Sequence, residues 1–170
     1  MIVTVPANST LSDAEQVAAL LGREPGGDYD VVVRSLVGEP VVIANAPLLR
    51  DRTPMPTLFW LIGSHETALV ASLEANGGVR EAEASLDPVA IAEAHALYQQ
   101  LRDALIAPEH EGPRPSGGVA GTRQGVKCLH AHLAWWLANG DDPVGEWTAQ
   151  RLELSRDSYV RDKSTLMGER

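Results

Sequence analysis

The sequence predicts an α+β fold, in which a small antiparallel sheet carries helices packed on one face. Two runs of β-branched residues, Val31-Val32-Val33 and Val41-Val42-Ile43, favour neighbouring strands because such side chains suit a pleated surface. Segments with a helical spacing of apolar residues follow mainly after residue 64. Since strands and helices are largely separated along the chain, the pattern favours this class over an alternating α/β fold.

The first element is predicted to be a helix at 13–21. Ser12 and Glu15 have the spacing of a capping box, in which each side chain accepts a hydrogen bond from the backbone N–H of the other residue. Gly22 follows the last apolar position and tolerates the left-handed conformation that ends many helices. Both ends of this helix are therefore marked in the local sequence.

Three strands are predicted to form the sheet. The runs at 31–34 and 41–44 are separated by a turn containing Gly38, which favours an antiparallel hairpin. The run at 57–62 is apolar on both faces, so we expect it to lie in the middle of the sheet. A fourth strand is expected at 79–84.

Four further helices are predicted from their N-cap residues and apolar periodicity. Their approximate ranges are 64–76, 88–107, 122–139 and 143–154. On the second of these helices, His95 and Arg102 share an edge beside Tyr98, and we expect this edge to be a solvated rim.

The predicted domain spans residues 12–154. Residues 1–11 are expected to be a polar leader, and residues 155–170 a frayed or disordered tail, because the tail alternates in charge without an apolar face. A chain of 170 residues can bury a core without disulfide bonds. The single cysteine excludes an intramolecular disulfide and a four-cysteine metal site.

The charge balance argues against two classes of partner. Fourteen Lys and Arg residues against 23 Asp and Glu residues give a net charge of −9, which disfavours nucleic acid and anionic membrane surfaces. The amino-terminal residues lack a basic region followed by a long apolar core, so no secretory signal is predicted. We therefore expect a cytoplasmic protein that binds neither nucleic acid nor membrane.

One candidate metal site lies in the segment Cys128-x-His130-x-His132. On a regular helix Cys128 and His132 lie about 40° apart, close enough to bind one zinc ion, whereas His130 projects to another face. His65 and His95 are the possible further ligands. The alternative is purely structural, because free cysteines and core histidines are commonly buried without a metal.

A candidate anion site lies at the start of the helix expected from Thr122. The N–H groups of a first helical turn and the positive end of the helix dipole attract phosphate. Gly121 allows close backbone approach, while Arg123 and Lys127 add positive charge on one face. The alternative is a flexible loop in which Thr122 serves only as a cap.

Several sequence blocks resemble a family of small bacterial cytoplasmic proteins with a domain of unknown function. The blocks are at 45–49, 53–61, 121–132 and 142–145, within a resemblance that covers roughly residues 12–152. Lys127-Cys128-Leu129-His130 is the most specific of them. The resemblance implies no established activity. It implies a genomic position near genes for an exopolyphosphatase and a septum-formation protein.

The chain departs from the family pattern in three places. Ser35-Leu36 and Gly63-Ser64 stand where members often carry a cysteine, and Asp51-Arg52 stands where many have Asp-Gly. If the family cysteines bind a metal, the first two departures weaken that function in this chain.

These observations favour a binding or regulatory module that recognises a small phosphate-bearing ligand at the Gly121–His132 segment. Two alternatives remain. One is a metal-assisted hydrolase of a small phosphate compound, in which His65, His95, Cys128 and His132 would converge in a cleft. The other is a homodimer formed through the helix that carries Trp135 and Trp136, in which the segment has only a structural role.

Overall fold

The computed structural model describes residues 11–167. Within this range the helices are α1 (Asp13–Leu21), α2 (Ser64–Ala75), α3 (Gly78–Ser85), α4 (Pro88–Asp103), α5 (Leu129–Leu137) and α6 (Pro143–Arg151), and the strands are β1 (Tyr29–Ser35), β2 (Pro40–Asn45), β3 (Phe59–Leu61) and β4 (Tyr159–Arg161). Short 3₁₀ turns lie at Val119–Gly121 and Arg156–Ser158. The polar leader expected at residues 1–11 lies outside the described range, apart from Leu11.

The four strands form one antiparallel sheet in the order β3-β2-β1-β4. The predicted α+β class and the β1–β2 hairpin are therefore confirmed. The prediction that 57–62 lies in the middle of the sheet is wrong, because β3 is a short strand at one edge. Its apolar character on both faces has a different cause, which is that helices cover both sides of the sheet.

The larger core lies between one face of the sheet and helices α2 to α6. It includes Phe59 and Leu61 of β3 together with Leu133 and Trp135 of α5. The opposite face carries a smaller cluster of Val17, Val31, Ile43 and Ile62, with Trp60 partly buried beside it, where α1 packs on the sheet. Most helices thus lie on one face, as predicted, and α1 covers part of the other.

Local sequence signals set the ends of two helices as expected. The Ser12 and Glu15 side chains form both hydrogen bonds of the capping box, and Gly22 ends α1 with a φ of 72°. Asp87 caps α4 by accepting a hydrogen bond from the N–H of Val89. None of the helices within residues 11–167 is long and apolar enough to cross a membrane.

Two helical segments differ from the sequence predictions. Residues 79–84, expected as a strand, belong to α3, where Gly78 and Ala82 lie four residues apart and share the buried face. The helix expected over 122–139 begins only at Leu129, because residues 122–128 form an irregular segment tied to other elements.

The segment after residue 154, predicted to fray, contains β4 and adds a strand to the edge of β1. Ser35 of β1 pairs with Tyr159, and Arg34 forms an ion pair of 2.5 Å with Asp162. The Tyr159 ring is buried, and its hydroxyl donates a hydrogen bond of 2.9 Å to Glu66 Oε1. The tail lacks a continuous apolar face, but this one buried tyrosine anchors it.

Candidate functional site

A cavity of about 330 Å³ lies between α4 and the segment at residues 116–123, which we call the glycine loop. Helix α4 contributes His95 and Gln99 to its lining, and the glycine loop contributes Ser116, Thr122 and Arg123. Cavities that bind small ligands generally have volumes of about 300 Å³ or more. The cavity is therefore large enough for a small molecule and is lined by polar groups of several kinds.

His95 binds the backbone within the glycine loop and just after it, one contact through each nitrogen of its ring. The Val119 N–H donates to Nδ1 at 3.1 Å, so Nδ1 carries no proton and Nε2–H donates to the Gly125 carbonyl at 2.8 Å. The residue is only 4% exposed. Since both nitrogens bind backbone groups, neither has a lone pair free for a metal ion.

Arg102 holds the same segment from one end of α4. Its side chain is fully buried, and its Nη1 donates to the Pro56 carbonyl at 3.2 Å and the Gly117 carbonyl at 2.8 Å. Nη2 donates to the Pro115 carbonyl at 3.4 Å, and Asp103 Oδ1 lies 2.8 Å from the same nitrogen. A buried charge requires such partners. The edge of α4 expected to be a solvated rim is therefore an internal anchor for the loop.

Two glycines let the loop backbone lie directly against α4. A Cβ atom on Gly118 would stand 2.5 Å from the His95 Cβ, closer than side-chain atoms approach one another. Gly117 has a φ of 73°, and a Cβ there would collide with the Gly121 carbonyl. The glycines at these positions are required by close packing and by backbone conformation.

Thr122 and Arg123 both line the cavity, and each carries a polar group without a protein partner among the described residues. The Thr122 Oγ1 atom is buried and has no hydrogen-bond partner among residues 11–167. The Arg123 side chain is exposed, and within the same range no carboxylate lies at ion-pair distance from it. Arg34, Arg50, Arg102 and Arg151, by contrast, each pair with an acidic side chain.

The other two residues of the predicted anion site, Gly121 and Lys127, do not line this cavity. The first N–H of α5, at Leu129, already donates to the Glu74 carboxylate at 2.6 Å. The N–H of Val126 donates to Glu83 Oε1 at 2.8 Å. Glu83 of α3 therefore occupies one of the backbone donors that the sequence assigned to an external anion, and Glu74 of α2 occupies the donor at the actual start of α5.

The predicted metal ligands are brought together only in part. Cys128 precedes α5 with extended backbone angles, so helical spacing does not fix the direction of its thiol relative to His132. Burial raises the pKa of the Cys128 thiol, which disfavours the thiolate that binds zinc. His65 is exposed and lines a different cavity, of about 240 Å³, beside Glu66. Within residues 11–167 no three His, Cys, Asp or Glu side chains are placed to hold one metal ion.

His132 forms a buried pair with Asp142 that the sequence did not suggest. Its Nδ1–H donates to Asp142 Oδ2 at 2.6 Å, and Asp142 Oδ1 accepts from the N–H groups of Val144 and Gly145 at the start of α6. The His132 ring also contacts the His95 ring, with centroids 5.6 Å apart. Its Nε2 is buried without a partner within the described residues. Asp142 was recognisable as a helix cap, but nothing local marked it as the partner of a histidine.

Comparison with known proteins identifies a family. The family model described as Protein of unknown function (DUF501) matches residues 31–150, a range that includes the cavity and the His132–Asp142 pair. No curated protein and no solved structure matches the chain. The match covers more than half of the 170 residues. The chain therefore belongs to the DUF501 family.

Proposed function

We propose that the protein is a cytoplasmic binding module for a small phosphate-bearing ligand, which occupies the cavity between α4 and the glycine loop. The observation that carries this proposal is the exposed guanidinium of Arg123 in the lining of the cavity, which has no acidic partner within residues 11–167. Thr122, the preceding residue, also lines the cavity, and its hydroxyl is buried without a partner in the same range. An arginine can donate two parallel hydrogen bonds to a phosphate, so a bound phosphate would give Arg123 the anionic partner that the described residues do not supply.

The anchoring of the glycine loop supports the proposal. His95 and Arg102 bind the backbone at residues 115–125 through several hydrogen bonds, so the loop is ordered without a ligand. A site that is already ordered loses little conformational entropy on binding. This matters here because the net charge of −9 opposes the approach of an anion, and short-range contacts must supply the affinity.

The first test is calorimetric titration with inorganic phosphate at low ionic strength. Arg123→Ala should weaken binding by about 1.5–3 kcal/mol, the range for a hydrogen bond to a charged group. Lys127→Ala is the matched control, because it removes an exposed positive charge four residues away that does not line the cavity. Equal losses in the two variants would indicate a general electrostatic effect and contradict the proposal.

A second variant separates binding from folding. Thr122→Val replaces the hydroxyl by a methyl group of similar size, and the hydroxyl has no partner to lose within residues 11–167. Stability should therefore stay the same or rise by up to about 1 kcal/mol, because an unpaired polar atom no longer has to be buried. Phosphate affinity should fall. Unchanged affinity in a stable Thr122→Val protein would remove Thr122 from the site.

The two alternatives from the sequence draw no support from this geometry. A hydrolase that uses His65, His95, Cys128 and His132 would need them in one cleft, but His65 lines another cavity and His95 has both nitrogens engaged. A homodimer through α5 would need its tryptophans at the surface. Trp135 is 2% exposed and packs against Tyr98 within its own chain, and Arg156 stacks on Trp136.

A further inference from the structure

The cavity between α4 and the glycine loop has one positive side chain, and two alanine methyl groups stand among its otherwise polar lining. We infer that its ligand is a phosphate monoester of a small hydroxylated compound and not a pyrophosphate or polyphosphate. This inference rests on the proposed function and adds the chemical class of the ligand. The charge of the cavity, its volume and the side chains of its wall each support the inference.

Charge limits the number of phosphoryl groups. Arg123 is the only Lys or Arg side chain that lines the cavity within residues 11–167. A phosphate monoester carries about −1.5 to −2 charges at pH 7, which one arginine and a hydroxyl donor can largely satisfy. Each further phosphoryl group would add negative charge without a matching cation, in a protein whose net charge is already −9.

Size indicates that the ligand extends beyond the phosphate. The cavity volume is about 330 Å³, at the lower end of the range of about 300–1,000 Å³ for pockets that hold small organic ligands. A phosphate ion has only five heavy atoms and would leave most of this volume to solvent. The remaining space suits an organic group of a few carbon atoms.

The wall opposite the glycine loop defines that organic group. Ala92 and Ala96 lie one turn apart on α4 and present methyl groups to the cavity, and Gln99 lines it nearly one turn further on. The Gln99 amide, which can donate and accept, forms no hydrogen bond with other side chains or with loop backbone in the described part of the chain. Methyl groups followed by an amide fit a short carbon skeleton that carries hydroxyl groups.

The experiment is calorimetry with three probes at equal ionic strength: inorganic phosphate, ribose 5-phosphate and tripolyphosphate. We expect ribose 5-phosphate to bind at least tenfold more tightly than phosphate, and tripolyphosphate to bind no more tightly than phosphate. Gln99→Ala should weaken the binding of ribose 5-phosphate more than that of phosphate and so reduce the preference for the sugar phosphate. Gln100→Ala is the matched control, because this exposed glutamine follows directly and does not line the cavity.

The outcomes distinguish the inference from the proposed function. If phosphate binds through Arg123 but ribose 5-phosphate binds no better, the monoester assignment fails and the phosphate module stands. Tightest binding of tripolyphosphate would also overturn the assignment. If none of the three probes binds the unmutated protein at millimolar concentration, the proposed function fails as well. Ala96→Leu adds an independent check, because a larger side chain in the wall should weaken the binding of ribose 5-phosphate more than that of phosphate.

Discussion

Two regions of the molecule differ in how far along the chain their hydrogen-bond partners lie: the start of α1, and the segment between α4 and α5. Ser12 and Glu15 bond to each other across three residues. The backbone at residues 115–126 is bound by His95 and Arg102 of α4 and by Glu83 of α3, up to 43 residues away in sequence. A helix end can thus be stable by itself, whereas the loop that forms the candidate site depends on the assembled fold.

The largest expected effect comes from removing the main anchor of that loop. Arg102→Ala leaves the carbonyls of Pro56, Pro115 and Gly117 without their buried donor. A buried acceptor left without its donor typically costs about 1–3 kcal/mol, so the loss of this donor to three carbonyls should cost about 3 kcal/mol or more. Chemical denaturation should show this loss in the free energy of unfolding. A loss below about 1 kcal/mol would mean that the loop is held mainly by other contacts.

A smaller effect is expected where the loop backbone touches α4. Gly118→Ala places a methyl group against the Cβ, Cα and Nδ1 atoms of His95, all within 2.7 Å of the new atom. Overpacking of this kind costs about 1–3 kcal/mol. The variant should also weaken phosphate binding, because the loop must move away from the helix. Gly22→Ala would not serve as a control for packing. Gly22 has a φ of 72°, so an added Cβ would be strained by the backbone conformation although it would touch no other atom.

The local cap should be the least costly structural change. Ser12→Ala removes the hydroxyl that accepts from the Glu15 N–H in α1, and loss of such a cap typically costs about 1 kcal/mol. Ligand affinity should not change, because α1 lies on the other face of the sheet. A loss of phosphate binding in Ser12→Ala, measured alongside Gly118→Ala, would show that the two regions are coupled.

The last prediction concerns the reactivity of the Cys128 thiol and involves no substitution. Burial raises the pKa of the Cys128 thiol, so the thiolate fraction at pH 7 should be lower than in free cysteine. The folded protein should therefore react slowly with a disulfide reagent, and the rate should still be rising above pH 8.5, where free cysteine is half ionised. The comparison is with the urea-unfolded chain, and equally fast reaction in both states would contradict the burial of the thiol.

The same difference between local and long-range hydrogen bonds explains which features the sequence could predict. The bounds of α1, the hairpin and the Asp87 cap of α4 all follow from residues within a few positions of each other. Thr122 and Arg123, which the sequence places beside a glycine-rich loop, line the cavity. Their role in binding an anion stays a prediction. Their supposed position at the start of a helix was wrong.

The remaining features depend on hydrogen bonds between residues that are far apart in the sequence. Nothing near Arg102 in the sequence shows that three carbonyls of remote loops surround its guanidinium. Likewise, Glu74 and Glu83 lie on helices more than forty residues before the N–H groups that they bind. Periodicity and capping patterns describe neighbours along the chain, so buried polar contacts between distant elements remain invisible to them.

The strand β4 has a practical consequence for where the protein can be shortened. The family match ends at residue 150, but Tyr159–Arg161 covers the outer edge of β1. A fragment that stops at 150 would present the unpaired backbone groups of a seven-residue, valine-rich strand to solvent. Exposed edges of this kind join to one another, whereas the intact chain ends its sheet with a strand of only three residues. The strand β4 thus protects the molecule from polymerising through the edge of β1.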